Sequence, residues 1–189
     1  MKLQKRTRKR LVGLVVSLII LALYTQFKPA PPPEVLGTTS PGYYKVVEVA
    51  DGDTIVIDMD GTKERVRMIG VDTPETKDPR KPVQCFGQAA SDFTKQLIGN
   101  QPVRLEADSL SSNRDRYDRL LRFVYLADGR MVETEIIRQG YGFAYTSFPF
   151  TKSDEFRAYE KEAREQNRGL WASCQPVVDD RGQARSNDQ

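Results

Sequence analysis

Residues 43–71, which read YYKVVEVADGDTIVIDMDGTKERVRMIGV, decide the fold of this chain. Residues 43–49 are rich in aromatic and β-branched side chains, a composition typical of strands. Two further strands are predicted over residues 54–59 and 65–71, on either side of Asp60-Gly61, a dipeptide typical of tight hairpin turns. The folded part of the chain therefore begins with three consecutive strands.

Downstream of this stretch the pattern alternates between helix and strand. Apolar residues recur at helical spacing in residues 88–98, and helices are also predicted over 131–139 and 153–167. Residues 102–107 and 120–126 indicate two more strands. Five short strands interrupted by a helix favour an α+β fold, a five-stranded OB-type barrel with three helices, over a parallel α/β sheet.

The net charge of +3 is unevenly distributed. Six Lys/Arg fall within residues 1–10, whereas residues 42–174 hold 20 basic and 22 acidic residues. Residues 11–27 carry no charge and are at the short limit for a bilayer-spanning helix. We therefore predict a basic tip and signal anchor over residues 1–27, with a cleaved signal peptide as the alternative. The basic residues before this segment favour an exported, membrane-anchored domain, or a secreted one after cleavage.

The remaining segments complete the domain organisation. Residues 28–41 are rich in proline and are predicted to form an extended linker. Residues 42–174 form the predicted folded domain, and residues 175–189 are polar, lack periodicity and are predicted to be disordered.

The two cysteines flank the predicted helices. Cys85 lies just before the first helix and Cys174 just after the last. In an exported domain such a pair favours one disulfide, with two unlinked thiols as the alternative.

The chain contains no histidine. This excludes a Ser-His-Asp triad, a Cys-His dyad, His-ligated zinc and a histidine general base. Catalysis in this chain therefore depends on carboxylates, Arg, Lys, Tyr and bound ions.

Three clusters of charged residues stand out. They are Asp51-Gly52-Asp53-Thr54, then Arg67 with VDTPET at residues 71–76, and RDRYDR at residues 114–119. Each alone has a structural explanation, since the first two fit turns and the third fits a solvated loop of compensating charges.

The position of Arg67 favours a functional interpretation of the clusters. Strand alternation predicts that Arg67 shares one face with Ile69 and Val71, and a buried guanidinium needs anionic partners. Short oxygen ligands at strand ends suit a hard cation such as Ca²⁺, and two arginines offer planar forks for phosphate oxygens. With a carboxylate that orients water, these groups suffice to hydrolyse a phosphodiester without histidine.

Four motifs together resemble the staphylococcal nuclease (thermonuclease) family. They are ADGDTI, RVRMIGVDTPET, DRYDR and EIIRQGYGFAY, in the family's order and spacing between residues 46 and 171. The resemblance implies an OB-type five-stranded barrel with three helices. It also implies a Ca²⁺-dependent nuclease of DNA or RNA whose products end in a 3′-phosphate.

The same resemblance implies how the ion and the water are held. Asp53 and Asp72 would be carboxylate ligands of Ca²⁺, and the backbone carbonyl of Thr73 would be a third ligand. Glu75 would position or deprotonate the attacking water.

Further residues would contact the nucleic acid. By the resemblance, Arg67 and Arg119 would bind the scissile phosphate, and Tyr117 and Tyr145 would contact phosphate and base. The family often has glycine immediately before the second arginine, where this chain has Asp118. We expect one of two consequences. Either the Asp118 carboxylate pairs with Arg119 and weakens its binding of phosphate, or this position does not need the positive φ that glycine allows.

Two other functions remain as alternatives. One is a non-catalytic OB-fold module that binds nucleic acid and is tethered to the membrane, but binding-only relatives lose the acids and arginines that this chain retains. The other is a structural domain of the envelope, which explains none of those residues. A monomeric nuclease is the main prediction.

Overall fold

The computed structural model describes residues 42–76, 83–180 and 182–186. Its strands are β1 (Tyr43–Asp51), β2 (Thr54–Met59), β3 (Thr62–Met68), β4 (Val71–Asp72), β5 (Val103–Glu106), β6 (Leu120–Tyr125), β7 (Phe143–Ala144), β8 (Val177–Val178) and β9 (Ala184–Arg185). Its helices are α1 (Gly87–Ile98), α2 (Val132–Arg138), α3 (Ser153–Glu165) and α4 (Leu170–Ser173). The predicted anchor over residues 1–27 and the whole predicted linker over residues 28–41 lie outside the described residues.

Five strands close into a barrel in the order β1-β2-β3-β6-β5. The pairs are antiparallel except for β3 and β6, which run parallel, and β5 returns to pair with β1. The predicted five-stranded barrel is therefore confirmed. Its interior is filled by side chains with almost no solvent exposure, among them Ile55, Ile57, Val66, Met68 and Phe123.

The direction of Arg67 differs from the prediction. In β3 the alternating residues Val66 and Met68 point into the barrel, which places Arg67 on the opposite side. The strand ends at Met68, and Gly70, at φ +74°, changes the chain direction before β4. Strand alternation therefore does not continue from Arg67 to Val71, and the prediction that they share a strand face was wrong.

The three predicted helices are confirmed, and a fourth short helix, α4, follows them. Phe156 and Ala163 of α3 are buried, and the ring of Phe156 contacts Phe123 of the barrel at a centroid distance of 6.2 Å. Leu170 of α4 is buried in a smaller second core that also contains Phe143 of β7. No helix in the described parts of the chain is long and apolar enough to cross a membrane.

The C-terminal segment carries more structure than predicted. Cys85 and Cys174 form a disulfide, which is the predicted pairing. Beyond it, β8 and β9 pair as an antiparallel hairpin, and Ala184 is buried in the second core beside Phe143. The prediction of a disordered tail was therefore wrong for these residues, because the buried Ala184 and side-chain hydrogen bonds of Gln183 and Ser186 hold the segment against the domain.

Candidate active site

Arg67 joins two carboxylates at one end of the barrel. Its Nη2 donates to Oδ1 of Asp72 at 2.7 Å, and its Nη1 lies 2.6 Å from Oδ1 of Asp53. The second contact is an ion pair without hydrogen-bond geometry, and among the described residues this buried Nη1 has no hydrogen-bond acceptor. We call Asp53, Arg67 and Asp72 the acid cluster.

Asp53 is held in place by three donors besides Arg67. Its Oδ2 accepts the backbone N–H of Thr73 at 2.8 Å and the Thr73 hydroxyl at 3.0 Å. Its Oδ1 accepts the hydroxyl of Thr54 at 3.0 Å. Thr73 therefore contacts Asp53 through its N–H and hydroxyl donors. Its backbone carbonyl, the predicted metal ligand, takes no part in these contacts.

Negative charge is concentrated around the acid cluster. Burial raises the pKa of Asp72 to about 6; the Asp53 charge adds to this effect and Arg67 opposes it. Burial and the Asp53 charge also raise the pKa of Asp51 to about 6. For Arg67, burial lowers the pKa, but the charges of Asp53 and Asp72 outweigh it and raise the pKa. The carboxylates thus repel one another even with the guanidinium between them.

This arrangement fits a hard divalent cation. Carboxylate oxygens are the ligands that Ca²⁺ prefers, and a cation would offset the burial and the mutual repulsion that together raise the two pKa values. Within the described residues, no three acidic side chains converge into a ready-made metal site. Waters or substrate oxygens would therefore have to complete the six to eight ligands typical of Ca²⁺.

Glu75 lies on the loop that follows β4. Its backbone N–H donates to the side chain of Gln84 at 2.9 Å, and its carbonyl accepts the Gln84 N–H at 3.0 Å. Its own carboxylate accepts the N–H of Thr76 at 2.9 Å. Its charge contributes to the raised pKa values of both Asp51 and Asp72, so Glu75 belongs to the same electrostatic environment.

Residues 114–119 form a loop before β6, which we call the arginine loop. Asp115 Oδ2 accepts Nε of Arg119 at 2.7 Å and pairs with its Nη2 at 2.7 Å. Asp115 Oδ1 accepts the backbone N–H groups of Tyr117 and Arg119. Tyr117 is 63% exposed, and the guanidinium groups of Arg116 and Arg119 lie 4.8 Å and 5.3 Å from the centre of its ring.

Asp118 does not occupy Arg119. Its carboxylate lies 3.6 Å from Nε of Arg114, and its carbonyl accepts Nη1 of Arg114 at 2.7 Å. Asp118 has φ +62°, so the position does adopt the left-handed conformation that glycine prefers. Competition for Arg119 was therefore a wrong prediction, because Asp115 is the carboxylate that pairs with Arg119. The alternative, that positive φ is not needed there, was wrong because Asp118 itself adopts positive φ.

A cleft of about 770 Å³ brings the two regions together. Among the residues that line it are Arg67, Asp72, Tyr117, Arg119 and Tyr145. Positively charged guanidinium groups, carboxylates and aromatic rings thus face one cavity.

Comparison with known proteins matches the sequence that builds this site to a family. The family model described as staphylococcal nuclease homologue matches residues 65–173. A thermonuclease of Staphylococcus hyicus is 37% identical over 171 residues, covering 89% of this chain and 99% of the relative. The chain belongs to the staphylococcal nuclease family.

Two further relatives of the family have similar identities over shorter regions. A thermonuclease of Staphylococcus intermedius is 45% identical over 132 residues, 68% of this chain and 75% of the relative. Endonuclease YncB of Bacillus subtilis is 41% identical over 124 residues, 65% of this chain and 58% of the relative.

Within this staphylococcal nuclease fold, the predicted site residues fall into two groups. Five of them line the cleft, as given above, whereas Asp53, Thr73 and Glu75 are tied to its acidic end without appearing in its described lining. The disulfide cysteines pack in the second core, apart from the cleft.

The sequence analysis did not predict the roles of Asp51, Asp115 and Phe148 in the site. Asp51 is coupled by charge to Asp53, Asp115 holds Arg119, and the exposed ring of Phe148 lies 6.0 Å from that of Tyr145. The two acids stand in the DGD and RDRYDR motifs and were visible there, but the sequence does not show which charges pair. Phe148 lies outside every quoted motif.

Proposed function

We propose that this chain is a Ca²⁺-dependent nuclease that hydrolyses phosphodiester bonds of DNA or RNA and leaves a 3′-phosphate. The observation that carries the proposal is the cleft in which Arg67 and Arg119, from separate parts of the chain, face one cavity beside Asp72. Two guanidinium groups match the oxygens of one phosphate, and the neighbouring carboxylates match a divalent ion.

The acid cluster is the proposed metal site. The carboxylates of Asp53 and Asp72 and the backbone carbonyl of Thr73 would hold the ion. When bound, Ca²⁺ supplies positive charge that polarises the phosphate and offsets charge in the transition state. Asp53 is kept in position by its two hydrogen bonds from Thr73.

Arg67 and Arg119 bind the scissile phosphate. The position of both guanidinium groups in the lining of one cleft supports this role. As negative charge develops on the phosphate, hydrogen bonds from both guanidinium groups strengthen. One of them also stabilises the departing oxygen, which takes its proton from solvent.

Glu75 acts as the general base. Its carboxylate takes a proton from water, the water oxygen forms a bond to phosphorus, and the bond from phosphorus to the leaving oxygen breaks. Its backbone bonds to Gln84 hold the loop that carries it. Tyr117 and Tyr145 bind the substrate near the scissile phosphate, through phosphate contact and base stacking.

We also propose that the domain is exported and anchored by residues 11–27, or secreted if this segment is cleaved. The disulfide supports an oxidising compartment, since such bonds are rare in reducing cytosol. Protease treatment of intact cells tests this proposal, because an externally anchored domain is removed from the cell and a cytoplasmic one is protected.

The nuclease is tested by cleavage of single-stranded DNA, duplex DNA and RNA, each with Ca²⁺ and with chelator. We expect cleavage with Ca²⁺ alone, and we expect Glu75→Gln to lower kcat by about 10²- to 10⁴-fold. Glu165→Gln, on the exposed face of α3, is the matched control and should cleave normally. Cleavage that survives the chelator, or an undiminished Glu75→Gln variant, contradicts the mechanism. Binding without cleavage under every condition would instead favour a binding module.

A further inference from the structure

We propose that Gln183, in the C-terminal hairpin, is a positioning residue for Tyr145 in the cleft. Its side-chain Oε1 accepts the backbone N–H of Thr146 at 3.1 Å, and its Nε2 donates to the carbonyl of Ala144 at 2.9 Å. These two backbone groups stand immediately before and after Tyr145. The Gln183 amide therefore brackets the residue whose ring lines the cleft.

An amide side chain is suited to this task because it donates and accepts at the same time. On the other side, the N–H of Tyr145 itself donates to the carbonyl of Gly70 at 2.8 Å. The backbone around Tyr145 is thus held from the barrel side by Gly70 and from the C-terminal side by Gln183. Loss of the amide would release the second of these supports while leaving the first.

The hairpin that carries Gln183 is itself attached to the domain. It follows Cys174, which is joined to Cys85, and the hydroxyl of Ser186 donates to the carbonyl of Cys85 at 3.3 Å. Between Gln183 and Ser186, Ala184 is buried in the second core. Gln183 is therefore presented from a segment fixed on both sides, which is what a positioning residue requires.

The consequence concerns substrate binding more than chemistry. Tyr145 and its neighbour Phe148 offer rings to the substrate at the cleft, whereas Gln183 is not among the described partners of Arg67 or Arg119. This inference rests on the proposed nuclease function. It assigns Gln183 to the affinity for nucleic acid, acting through Tyr145, and leaves the bond-breaking groups unaffected.

The kinetic test compares Gln183→Met with Arg185→Ala in the full chain. Methionine has a similar length but cannot make either hydrogen bond, and Arg185 is exposed on the same hairpin. With a single-stranded oligonucleotide, we expect Gln183→Met to raise KM about three- to tenfold, with kcat changed less than about twofold. Arg185→Ala should leave KM unchanged. An unchanged KM in Gln183→Met overturns the proposal.

A double mutant separates positioning from general loss of structure. In a Tyr145→Ala background, Gln183→Met should raise KM no further, because the residue through which it acts is gone. The same rise in KM in both backgrounds would overturn the positioning role.

Hydrogen exchange tests the contact without using activity. In Gln183→Met, the Thr146 amide should exchange about tenfold faster, while the Tyr145 amide, bonded to Gly70, keeps its protection. Gln183→Glu retains the acceptor and should keep the Thr146 amide protected, which provides a second variant if methionine impairs folding. Unchanged exchange at Thr146 in Gln183→Met refutes the proposed positioning by Gln183. If the wild-type chain shows no cleavage, the proposed nuclease function is refuted. The exchange experiment still decides whether Gln183 holds the backbone at Thr146.

Discussion

The two regions that meet at the cleft are built differently. In the acid cluster, the side chains of Arg67 and Asp53 are 14% and 9% exposed, and their contacts join residues of β2, β3 and β4 or their ends. In the arginine loop, the ion pairs of Arg119 and Asp118 are local, four residues apart, and the Tyr117 ring is mostly exposed. The metal end of the site is thus part of the barrel, whereas the phosphate end is a loop with local ion pairs that is joined to β3 by the 3.0 Å ion pair of Arg114 with Glu64.

This difference separates stability from function. Strand pairing places Thr54 opposite Arg67, so the acid cluster cannot rearrange without disturbing the barrel. Within the arginine loop, Asp115 accepts bonds from Tyr117 and Arg119, so the position of Arg119 depends on local contacts more than on the barrel. We therefore expect substitutions in the first region to alter both folding and cleavage, and substitutions in the second to alter cleavage alone.

The largest contrast should come from Arg67→Met against Arg119→Met. Both should lower kcat/KM by about 10²- to 10³-fold, since each removes a donor to the transition state. Arg67→Met should also lower the free energy of unfolding by about 3 kcal/mol, because it leaves the buried carboxylate of Asp53 without its counter-charge. Arg119→Met should change it by less than about 1 kcal/mol. Urea unfolding and cleavage kinetics measure both quantities, and equal losses of stability would break the comparison.

A smaller effect is expected from Asp115→Asn. The asparagine oxygen still accepts the backbone N–H groups of the loop, but the charged support of Arg119 is lost. We expect kcat/KM to fall about tenfold, with the free energy of unfolding changed by less than about 1 kcal/mol. Asp118→Asn, which removes a charge from the same loop, is the control. Normal cleavage by Asp115→Asn would show that Arg119 needs no local support.

The pH dependence of Ca²⁺ stabilisation tests the acid cluster further. The pKa values of Asp51 and Asp72 are raised to about 6 in the folded chain from 3.8, so between these values the folded state holds protons that the unfolded state releases. These two groups therefore reduce stability as the pH rises through about 6. Bound Ca²⁺ would offset the burial and mutual repulsion of these ionised carboxylates, which are fully ionised only above about pH 6. We therefore expect Ca²⁺ to raise Tm by several degrees more at pH 7.5 than at pH 5. Thermal unfolding with Ca²⁺ and with Mg²⁺ as the comparison ion measures this, and an equal shift at both pH values contradicts it.

The smallest effect is predicted for Asp118→Gly. Glycine accepts the observed φ of +62° without strain, although its unfolded state is more flexible, so the free energy of unfolding should change by less than about 1 kcal/mol. Because Asp118 pairs with Arg114 and not with Arg119, the cleavage rate should rise by no more than about twofold. A severe loss of activity would show that the Asp118 carboxylate has a direct role. Cleavage kinetics and urea unfolding together provide the measurement.

Local patterns predicted much of the fold, for identifiable reasons. The dipeptide Asp60-Gly61 lies at the turn between β2 and β3, and apolar spacing located α1, α2 and α3. The prediction for Arg67 failed because alternation holds only within a strand, and β3 ends one residue after it. The C-terminal hairpin was missed because Ala184 is the only strongly buried residue among those described in it, too weak a signal in a polar segment.

The sequence by itself determined the barrel, the candidate catalytic residue types and the cysteine pair, because these depend on periodicity, residue chemistry and short motifs. Only the tertiary structure decided which charges meet. Asp115 and Asp118 are both acids near Arg119, yet backbone geometry directs one to Arg119 and the other to Arg114. Likewise Gln183 reaches the backbone around Tyr145 from 38 residues away. Such partnerships depend on direction and distance in three dimensions, which the order of residues along the chain does not contain.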